Sequence, residues 1–303
     1  MKLASIAIVG EGVERLAIVR RNGLVNVLES ARALGRSVPA MNMIAALSTG
    51  PQTLAALEDL AVAAEDRGLF VDEATVQYLP PVTRPSKFLC VGKNSAEHRK
   101  ELMANGLLKE VPTEPTGFLK LPQTMVGQNA TVRRPADITT LDYEPELTFI
   151  VTRFAHGTRK GEGAAHVGAI TLFNDVSARE IQKREVASGT RFWTAKNMPG
   201  FAPIGPIVVT LDEIADPFDL WITCRVNGEL RLREHASQYM FRIDEVLAHF
   251  SRHMPFEPGD LIAMGATKGV AVGQPNAAEL YLKPGDVMES GLEGLMTLTT
   301  TIA

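Results

Sequence analysis

Residues 141–147, Leu-Asp-Tyr-Glu-Pro-Glu-Leu, constrain the fold most, because they place two acidic side chains at the start of an apolar strand that continues to Val151. Alternate side chains of a strand lie on one face, so Glu144 and Glu146 point in the same direction. Pro145 between them points to the opposite side. A proline within a strand predicts an edge strand or a bulge at this position.

Two like charges on one face are unfavourable beside apolar neighbours unless a cation lies between them or one carboxylate binds a proton. Asp175, which follows the apolar run 170–173, is a candidate third oxygen ligand. Three carboxylates without Cys or His favour a hard ion, Mg²⁺ or Mn²⁺, over zinc. The alternative is that Glu144 and Glu146 are solvated residues on an exposed strand face, since acidic residues are mostly exposed.

Composition narrows the class of protein. The chain has 303 residues, of which 45% are hydrophobic and 22% charged, which is typical of a soluble globular protein. Its net charge is -4 and it has no basic block, so we expect no nucleic-acid partner. No apolar run has the length of a membrane span, and Cys90 and Cys224 lie in apolar runs without metal or redox spacing. We therefore expect a cytoplasmic protein with reduced core thiols and no membrane partner.

The chain divides into two predicted units. Residues 1–80 form a small N-terminal domain with a hairpin at Asn22-Gly23 and a helix over 51–67. A proline-rich stretch follows, and we place the linker at residues 81–86. Residues 87–303 form the larger domain, which reads as mostly β with a few short helices and a second hairpin at Asn227-Gly228.

A short helix is predicted at the start of the larger domain. Asn94 is its expected N-cap, and the helix should end near Asn105, before Gly106. His98 and Glu101 are three residues apart on it and share a face. A carboxylate there can orient an imidazole that acts as a general base, whereas the alternative is an ordinary surface pair.

Two further segments carry candidate functional residues. From Asp175 the pattern becomes helical, which places Arg179 and Gln182 on the same face as Asp175, beside the proposed metal. The alternative is an ordinary Asp–Arg pair within a helix. Lys196 lies in an aromatic setting and could donate to a developing oxyanion, or it could pack along its stem with its ammonium in water.

Taken together, these motifs resemble the fumarylacetoacetate hydrolase family from about Lys87 to the C-terminus. The motifs that carry the resemblance are, in the family's order, Cys90-Val-Gly-Lys-Asn94 with His98 and Glu101, Gly117-Phe-Leu-Lys120, Asp142-Tyr-Glu144-Pro-Glu146-Leu147, Asn174-Asp175-Val-Ser-Ala-Arg179, Thr194-Ala-Lys196, Pro258-Gly-Asp260 and Gly265-Ala-Thr267-Lys-Gly269-Val270.

The resemblance implies an α+β, mainly β fold: a mixed β-roll catalytic domain with a small N-terminal α/β domain, assembled as a homodimer. It implies Mg²⁺ or Mn²⁺ held by Glu144, Glu146 and Asp175. It also implies a 2-oxo acid or β-diketo acid substrate. It further implies that His98 and Glu101 activate water and that Lys196 is the oxyanion partner. The substrate-binding groups that it implies are Arg179, Gln182 and Thr267.

The implied activity is metal-dependent hydrolysis of a C–C bond in an acylpyruvate-type substrate. The alternative is an isomerase, decarboxylase or hydratase acting on a related 2-oxo or 2-hydroxydienoate acid. The chain has Ser95, Pro145, Glu180 and Lys268 where the family often has other residues, which leaves the substrate open and removes no ligand. A non-catalytic binding module and a structural Ca²⁺ site, completed by backbone and water oxygens, are the rival hypotheses.

Overall fold

The computed structural model describes residues 1–104, 112–190 and 192–303, apart from the side chains at positions 98, 101, 102 and 104. The α-helices are α1 (Val27–Ala33), α2 (Met43–Ser48), α3 (Pro51–Glu65), α4 (Ala96–Ala104), α5 (Arg179–Ala187), α6 (Ile243–Phe250) and α7 (Ala277–Leu280). The strands are β1 (Lys2–Ile8), β2 (Glu14–Arg20), β3 (Gly23–Asn26), β4 (Val76–Tyr78), β5 (Phe88–Gly92), β6 (Thr116–Lys120), β7 (Met125–Val126), β8 (Ala130–Val132), β9 (Leu141–Asp142), β10 (Pro145–Val151), β11 (Val167–Asn174), β12 (Ser177–Ala178), β13 (Ala202–Pro203), β14 (Val208–Thr210), β15 (Trp221–Val226), β16 (Glu229–His235), β17 (Leu261–Ala263), β18 (Val287–Leu292) and β19 (Met296–Ile302).

A ten-stranded mixed sheet forms the centre of the molecule. Nine of its strands follow the order β3-β2-β1-β14-β11-β10-β17-β5-β6, and β4 pairs with β1. A second sheet of five strands has the order β16-β15-β18-β19-β8. Its hairpin β15–β16 turns at Asn227 and Gly228, which both have positive φ (53° and 81°), as a two-residue type I′ turn requires. The second predicted hairpin is therefore confirmed.

Both faces of the central sheet are buried. Along β10, Leu147 and Phe149 join a core that includes Ile222 and Leu298 of the five-stranded sheet. Ile150 belongs to the core on the opposite face. Every residue of β10 is buried, and the strand is apolar apart from Glu146 and Thr148. The predicted α+β, mainly β fold is confirmed.

The first 80 residues share this sheet and its core. β1 pairs with β14, and Leu57 and Leu60 of α3 lie in one core with Ile150 of β10. The predicted helix over 51–67 is confirmed as α3. The predicted boundaries at residues 80 and 87 stay predictions.

Pro145 does not mark a sheet edge. β10 pairs with β11 on one side and with β17 on the other, so it is a central strand. The prediction of an edge strand at this proline was wrong. The register irregularity in β10 lies at Ile150/Val151, away from the proline. Pro145 is tolerated because it is the first residue of the strand.

Asn94 does not act as the expected helix cap. Its side-chain amide donates to the carbonyl oxygens of Phe241 and Met264 and accepts from the backbone N–H of Phe241. α4 begins two residues later, at Ala96. Asn94 therefore ties the start of this segment to the loop that precedes α6.

Among the described helices, none has both the length and the apolar character of a membrane span.

Candidate active site

Three carboxylates meet where β10 begins and β11 ends. Pro145 pairs with Asn174 in the antiparallel register, so Glu144 and Asp175 lie next to each other at the same edge. The backbone N–H of Asp175 donates to the carbonyl oxygen of Glu144 over 2.8 Å, and the Asn174 side chain accepts from the backbone N–H of Glu144. Glu146 is the second residue of β10. One carboxylate oxygen of each acid lies within 4.8 Å of the others.

The three acids are almost completely buried. The exposed fractions of Glu144, Glu146 and Asp175 are 4%, 2% and 1%. This rules out the alternative that the two glutamates are solvated on an exposed strand face. Burial raises the pKa of Glu146 well above its usual value, and repulsion from Asp175 and Glu144 raises it further. Such a cluster needs positive charge close by or a proton on one carboxylate.

Two lysines supply positive charge in this structure. The Lys196 ammonium donates to Glu144 over 2.6 Å and to Asp175 over 2.5 Å. The Lys120 ammonium, at the end of β6, donates to the other oxygen of Asp175. Burial alone would lower the pKa of Lys196, but attraction by Asp175 and Glu144 raises it above its usual value. Burial lowers the pKa of Lys120, and the attraction of Asp175 opposes this effect.

Arg179 is connected to these acids differently from the prediction. α5 begins at Arg179, so the prediction that the helix starts at Asp175 was wrong, and the alternative of an Asp–Arg pair within a helix is excluded. The guanidinium of Arg179 instead donates to Asp142 over 2.8 Å, to Glu144 over 2.5 Å and to Gln182 over 2.8 Å. Because β9 pairs with β12, Asp142 lies next to Ser177, and Arg179 is the first residue after β12. Arg179 therefore holds Glu144 in place.

Lys120 and Asp142 were not predicted as site residues. Lys120 is 1% exposed and Asp142 is 0% exposed. Both lie inside motifs that carried the family resemblance, which was the signal available in the sequence. Their contacts with Asp175 and Arg179 join residues 55 and 37 positions apart, and local spacing contains no information about such pairs.

Gly265 brings a backbone donor to the third acid. Its N–H donates to Glu146 over 2.8 Å. The residue has φ +98°, and a Cβ there would lie 2.5 Å from the carbonyl oxygen of Val91. Glycine fits both the conformation and the close approach.

A cavity lies directly above the acids. The residues lining it are Val91, Gly92, Lys93, Phe118, Glu144, Glu146, Asp175, Arg179, Gln182, Val186, Phe192, Lys196 and Ala266. Six of the nine predicted site residues are therefore at one cavity: the three acids, Lys196, Arg179 and Gln182. Thr267 is not among the lining residues. It is fully buried, and its hydroxyl has no hydrogen-bond partner within the described part of the chain.

The predicted water-activating pair, His98 and Glu101, lies on α4. The side chains of both lie outside the described residues. Their catalytic role therefore stays a prediction from the sequence.

The donor set fits a hard divalent cation. All three converging side chains offer carboxylate oxygens, which Mg²⁺ and Mn²⁺ prefer, and the described residues bring no Cys or His into the group. Burial and repulsion from Asp175 and Glu144 raise the pKa of Glu146, and a cation between the carboxylates would favour its ionised form. Glu144, Glu146 and Asp175 are thus the candidate metal ligands.

Comparison with known proteins agrees with this arrangement. Among curated proteins, human mitochondrial oxaloacetate tautomerase FAHD2A is 36% identical over 220 residues, which is 73% of this chain and 67% of that protein. That relative is mitochondrial by name, and the cytoplasmic location expected from the sequence stays a prediction.

Three solved structures are informative. A fumarylacetoacetate hydrolase from Exiguobacterium antarcticum is 29% identical with a TM-score of 0.75 and covers 100% of this chain and 99% of its own. A 2-hydroxyhepta-2,4-diene-1,7-dioate isomerase from Mycobacterium marinum is 29% identical with a TM-score of 0.62, covering 76% and 79% of the two chains. Fumarylpyruvate hydrolase from Pseudomonas aeruginosa, solved with Mn²⁺ and pyruvate, is 25% identical with a TM-score of 0.64, covering 75% and 91%.

The family model described as fumarylacetoacetate (FAA) hydrolase C-terminal matches residues 87–303. This range contains the acids, the lysines and the cavity. The related proteins include hydrolases, isomerases and tautomerases. The chain belongs to the fumarylacetoacetate hydrolase family.

Proposed function

We propose that the chain is a divalent-metal-dependent enzyme that hydrolyses a C–C bond in an acylpyruvate or related β-diketo acid. The observation that carries this proposal is the meeting of three buried carboxylates and Lys196 at one cavity. A site of this kind can hold the 2-oxo acid end of a substrate and can stabilise the negative charge that develops on its 2-oxo oxygen.

Glu144, Glu146 and Asp175 would hold Mg²⁺ or Mn²⁺. When bound there, such an ion would supply Lewis-acid polarisation of the 2-oxo group. Arg179 fixes the position of Glu144, and the backbone N–H of Gly265 fixes that of Glu146. The ligands are thus held before the substrate arrives, which is the condition for efficient electrostatic stabilisation.

Lys196 is the candidate oxyanion partner. Its elevated pKa keeps the ammonium protonated at neutral pH. An ammonium has three N–H groups. Glu144 and Asp175 accept from two of them, so within the described residues one remains for a substrate oxygen.

Hydrolysis requires a base in addition to this charge stabilisation. His98, oriented by Glu101, would take a proton from water, and the water oxygen would bond to the distal carbonyl carbon of the substrate. The C–C bond then breaks, its electron pair stays on the pyruvate fragment, and that carbon takes up a proton. The products are pyruvate and a carboxylate. The roles of His98 and Glu101 rest on the sequence resemblance.

A second candidate is keto–enol tautomerisation of a 2-oxo acid such as oxaloacetate. The 36% identity to human oxaloacetate tautomerase FAHD2A favours it. This reaction moves a proton between carbon and oxygen without adding water. The acids and Lys196 would serve it equally well, since negative charge develops on the same oxygen. For either reaction, we propose that the chain forms a homodimer, that the bound ion is Mg²⁺ and that the substrate is a 2-oxo acid.

The test is the ultraviolet absorbance of acylpyruvates and of oxaloacetate, each followed with Mg²⁺, with Mn²⁺ and with EDTA. We expect metal-dependent loss of the β-diketone absorbance with formation of pyruvate and a carboxylic acid. If the diketones persist while the enol absorbance of oxaloacetate relaxes faster, the enzyme is a tautomerase. If neither changes, the proposed function is wrong.

A further inference from the structure

We propose that the group carried by the distal carbonyl of the substrate is an uncharged hydrocarbon, and that Val186, Phe118 and Phe192 select it. The inference rests on the proposed function, because it takes the 2-oxo acid end to bind at the three carboxylates. It adds the substrate class, which neither the family nor the relatives' names determine for this chain.

Helix α5 shows the direction of the cavity. Arg179, Gln182 and Val186 occupy positions i, i+3 and i+7 and all line the cavity, so one helix face forms its wall. Their exposed fractions rise from 2% through 8% to 41%. At 1.5 Å per residue, Val186 is roughly 10 Å farther along the helix than Arg179. The wall therefore changes from charged at the floor to apolar at the mouth.

Two aromatic rings continue the apolar part of the wall. Phe118 of β6 and Phe192 meet edge to face, with ring centroids 5.3 Å apart. The Lys196 ammonium lies 5.3 Å from the centroid of Phe118 and 5.8 Å from that of Phe192. The rings thus adjoin the residue that is proposed to bind the reacting oxygen. Val186 lines the same cavity, so these three side chains give it an apolar part.

The backbone at Phe192 supports a role for its ring. Its φ is +45°, an unusual conformation for an aromatic residue. Strained conformations of this kind cluster at active sites and ligand-binding sites. The neighbouring Trp193 is 57% exposed, whereas Phe192 is half-buried at the cavity and packs against Phe118.

Within the described part of the chain, the cations that line the cavity already have partners. Lys196 and Arg179 bind the carboxylates at the floor, and Lys93 has an interaction of its own. A second carboxylate on the substrate, placed at the mouth, would lie against valine and phenylalanine side chains. Removing a carboxylate from water without a charged partner is unfavourable. A hydrocarbon group gains from the same surroundings.

The experiment uses three unreactive pyruvate analogues, titrated calorimetrically into the full-length protein with Mn²⁺. They are oxamate, N-butyl oxamate, and N-(3-carboxypropyl) oxamate, whose tail has the same length and ends in a carboxylate. We expect the butyl compound to bind about tenfold or more tightly than the carboxypropyl compound.

The variant Val186→Arg places a cation at the mouth and should shift this affinity ratio at least tenfold toward the carboxypropyl compound. Val62→Arg is the matched control, since Val62 is 46% exposed on α3, away from the cavity, and the ratio should not change. A circular dichroism spectrum like that of wild type shows that each variant is folded.

Three results would overturn the inference, and only one of them would also show that the proposed function is wrong. If oxamate binds but both tails bind equally, the selectivity is absent and the proposed function stands. If the carboxypropyl compound binds more tightly and Lys93→Met abolishes the difference, Lys93 recognises a distal carboxylate. If oxamate itself does not bind, the proposed function is wrong and this inference falls with it.

Discussion

Asp142 provides the most quantitative prediction, because it is completely buried and fully used as an acceptor. Its Oδ1 accepts from the backbone N–H groups of Tyr143 and Ala271 over 2.8 and 2.9 Å. Its Oδ2 accepts from the backbone N–H of Val272 over 2.9 Å and from the guanidinium of Arg179 over 2.8 Å. Asp142 therefore holds Arg179, which in turn holds the ligand Glu144.

The change Asp142→Asn replaces one of these oxygens with an amide group that cannot accept. Whichever oxygen is replaced, two buried donors lose their acceptor, at about 1–3 kcal/mol each. The substitution also removes the negative charge beside Arg179, and breaking a buried ion pair costs about 3–5 kcal/mol. We expect the free energy of unfolding to fall by about 3–5 kcal/mol, the cost of breaking a buried ion pair, because the two effects overlap and are not additive. Weaker support for Glu144 should lower Mn²⁺ affinity roughly 10–100-fold.

Urea unfolding at fixed protein concentration gives the first quantity, and a Mn²⁺ titration followed by electron paramagnetic resonance gives the second. The control is Asp219→Asn, because Asp219 is 81% exposed and pairs with His235 at the surface. We expect it to change stability by less than about 0.5 kcal/mol. A loss of less than 1 kcal/mol in Asp142→Asn, with unchanged Mn²⁺ affinity, would refute the reasoning.

Three further predictions concern acid stability and catalysis. Partial burial would raise the pKa of Glu180, but hydrogen bonds from Thr139 and Thr140 outweigh it and lower the pKa from 4.5 to about 2. Its ionised form therefore adds stability that is present above about pH 4.5 and is lost as the pH falls toward 2. Glu180→Gln should remove this part of the acid dependence. If the melting temperatures of wild type and Glu180→Gln fall equally between pH 4.5 and pH 2, the prediction is wrong. Lys196→Met should lower kcat for acylpyruvate cleavage about 10²–10³-fold, as loss of an oxyanion donor does; near wild-type turnover would exclude the proposed role. His98→Ala should lower the same kcat about 10²–10⁴-fold, and diketone cleavage at the wild-type rate would show that water is activated elsewhere.

The strand pattern around Glu144 and Glu146 was sufficient to predict the acids' shared face. Alternation is a local property of a strand, and the apolar run that followed correctly indicated a buried strand. The third acid came from the same reasoning, because Asp175 ends another apolar run. The hairpin at Asn227-Gly228 and α3 were also predicted, since Asn-Gly turns and helical spacing are local signals. The first hairpin forms, but its turn lies at Arg21-Asn22, because Gly23 already belongs to β3.

The errors concern features that depend on tertiary contacts. Pro145 suggested an edge, but the neighbours of β10 come from residues far away in the chain. The helical pattern after Asp175 did not show that the helix begins at Arg179, because the short pairing of β12 with β9 occupies residues 177 and 178. Lys120 was overlooked since its only signal was its place in a family motif, and its pairing with Asp175 spans 55 residues.

The most direct test of the central claim is Mn²⁺ binding to wild type and to Glu146→Gln, measured by electron paramagnetic resonance. Glu229→Gln is the control, because Glu229 has a side chain that is 67% exposed on β16. If the three buried carboxylates form a divalent-cation site, wild type and Glu229→Gln bind one ion per chain, and Glu146→Gln binds at least tenfold more weakly. Equal affinity in all three proteins, or no binding by wild type, would contradict the account.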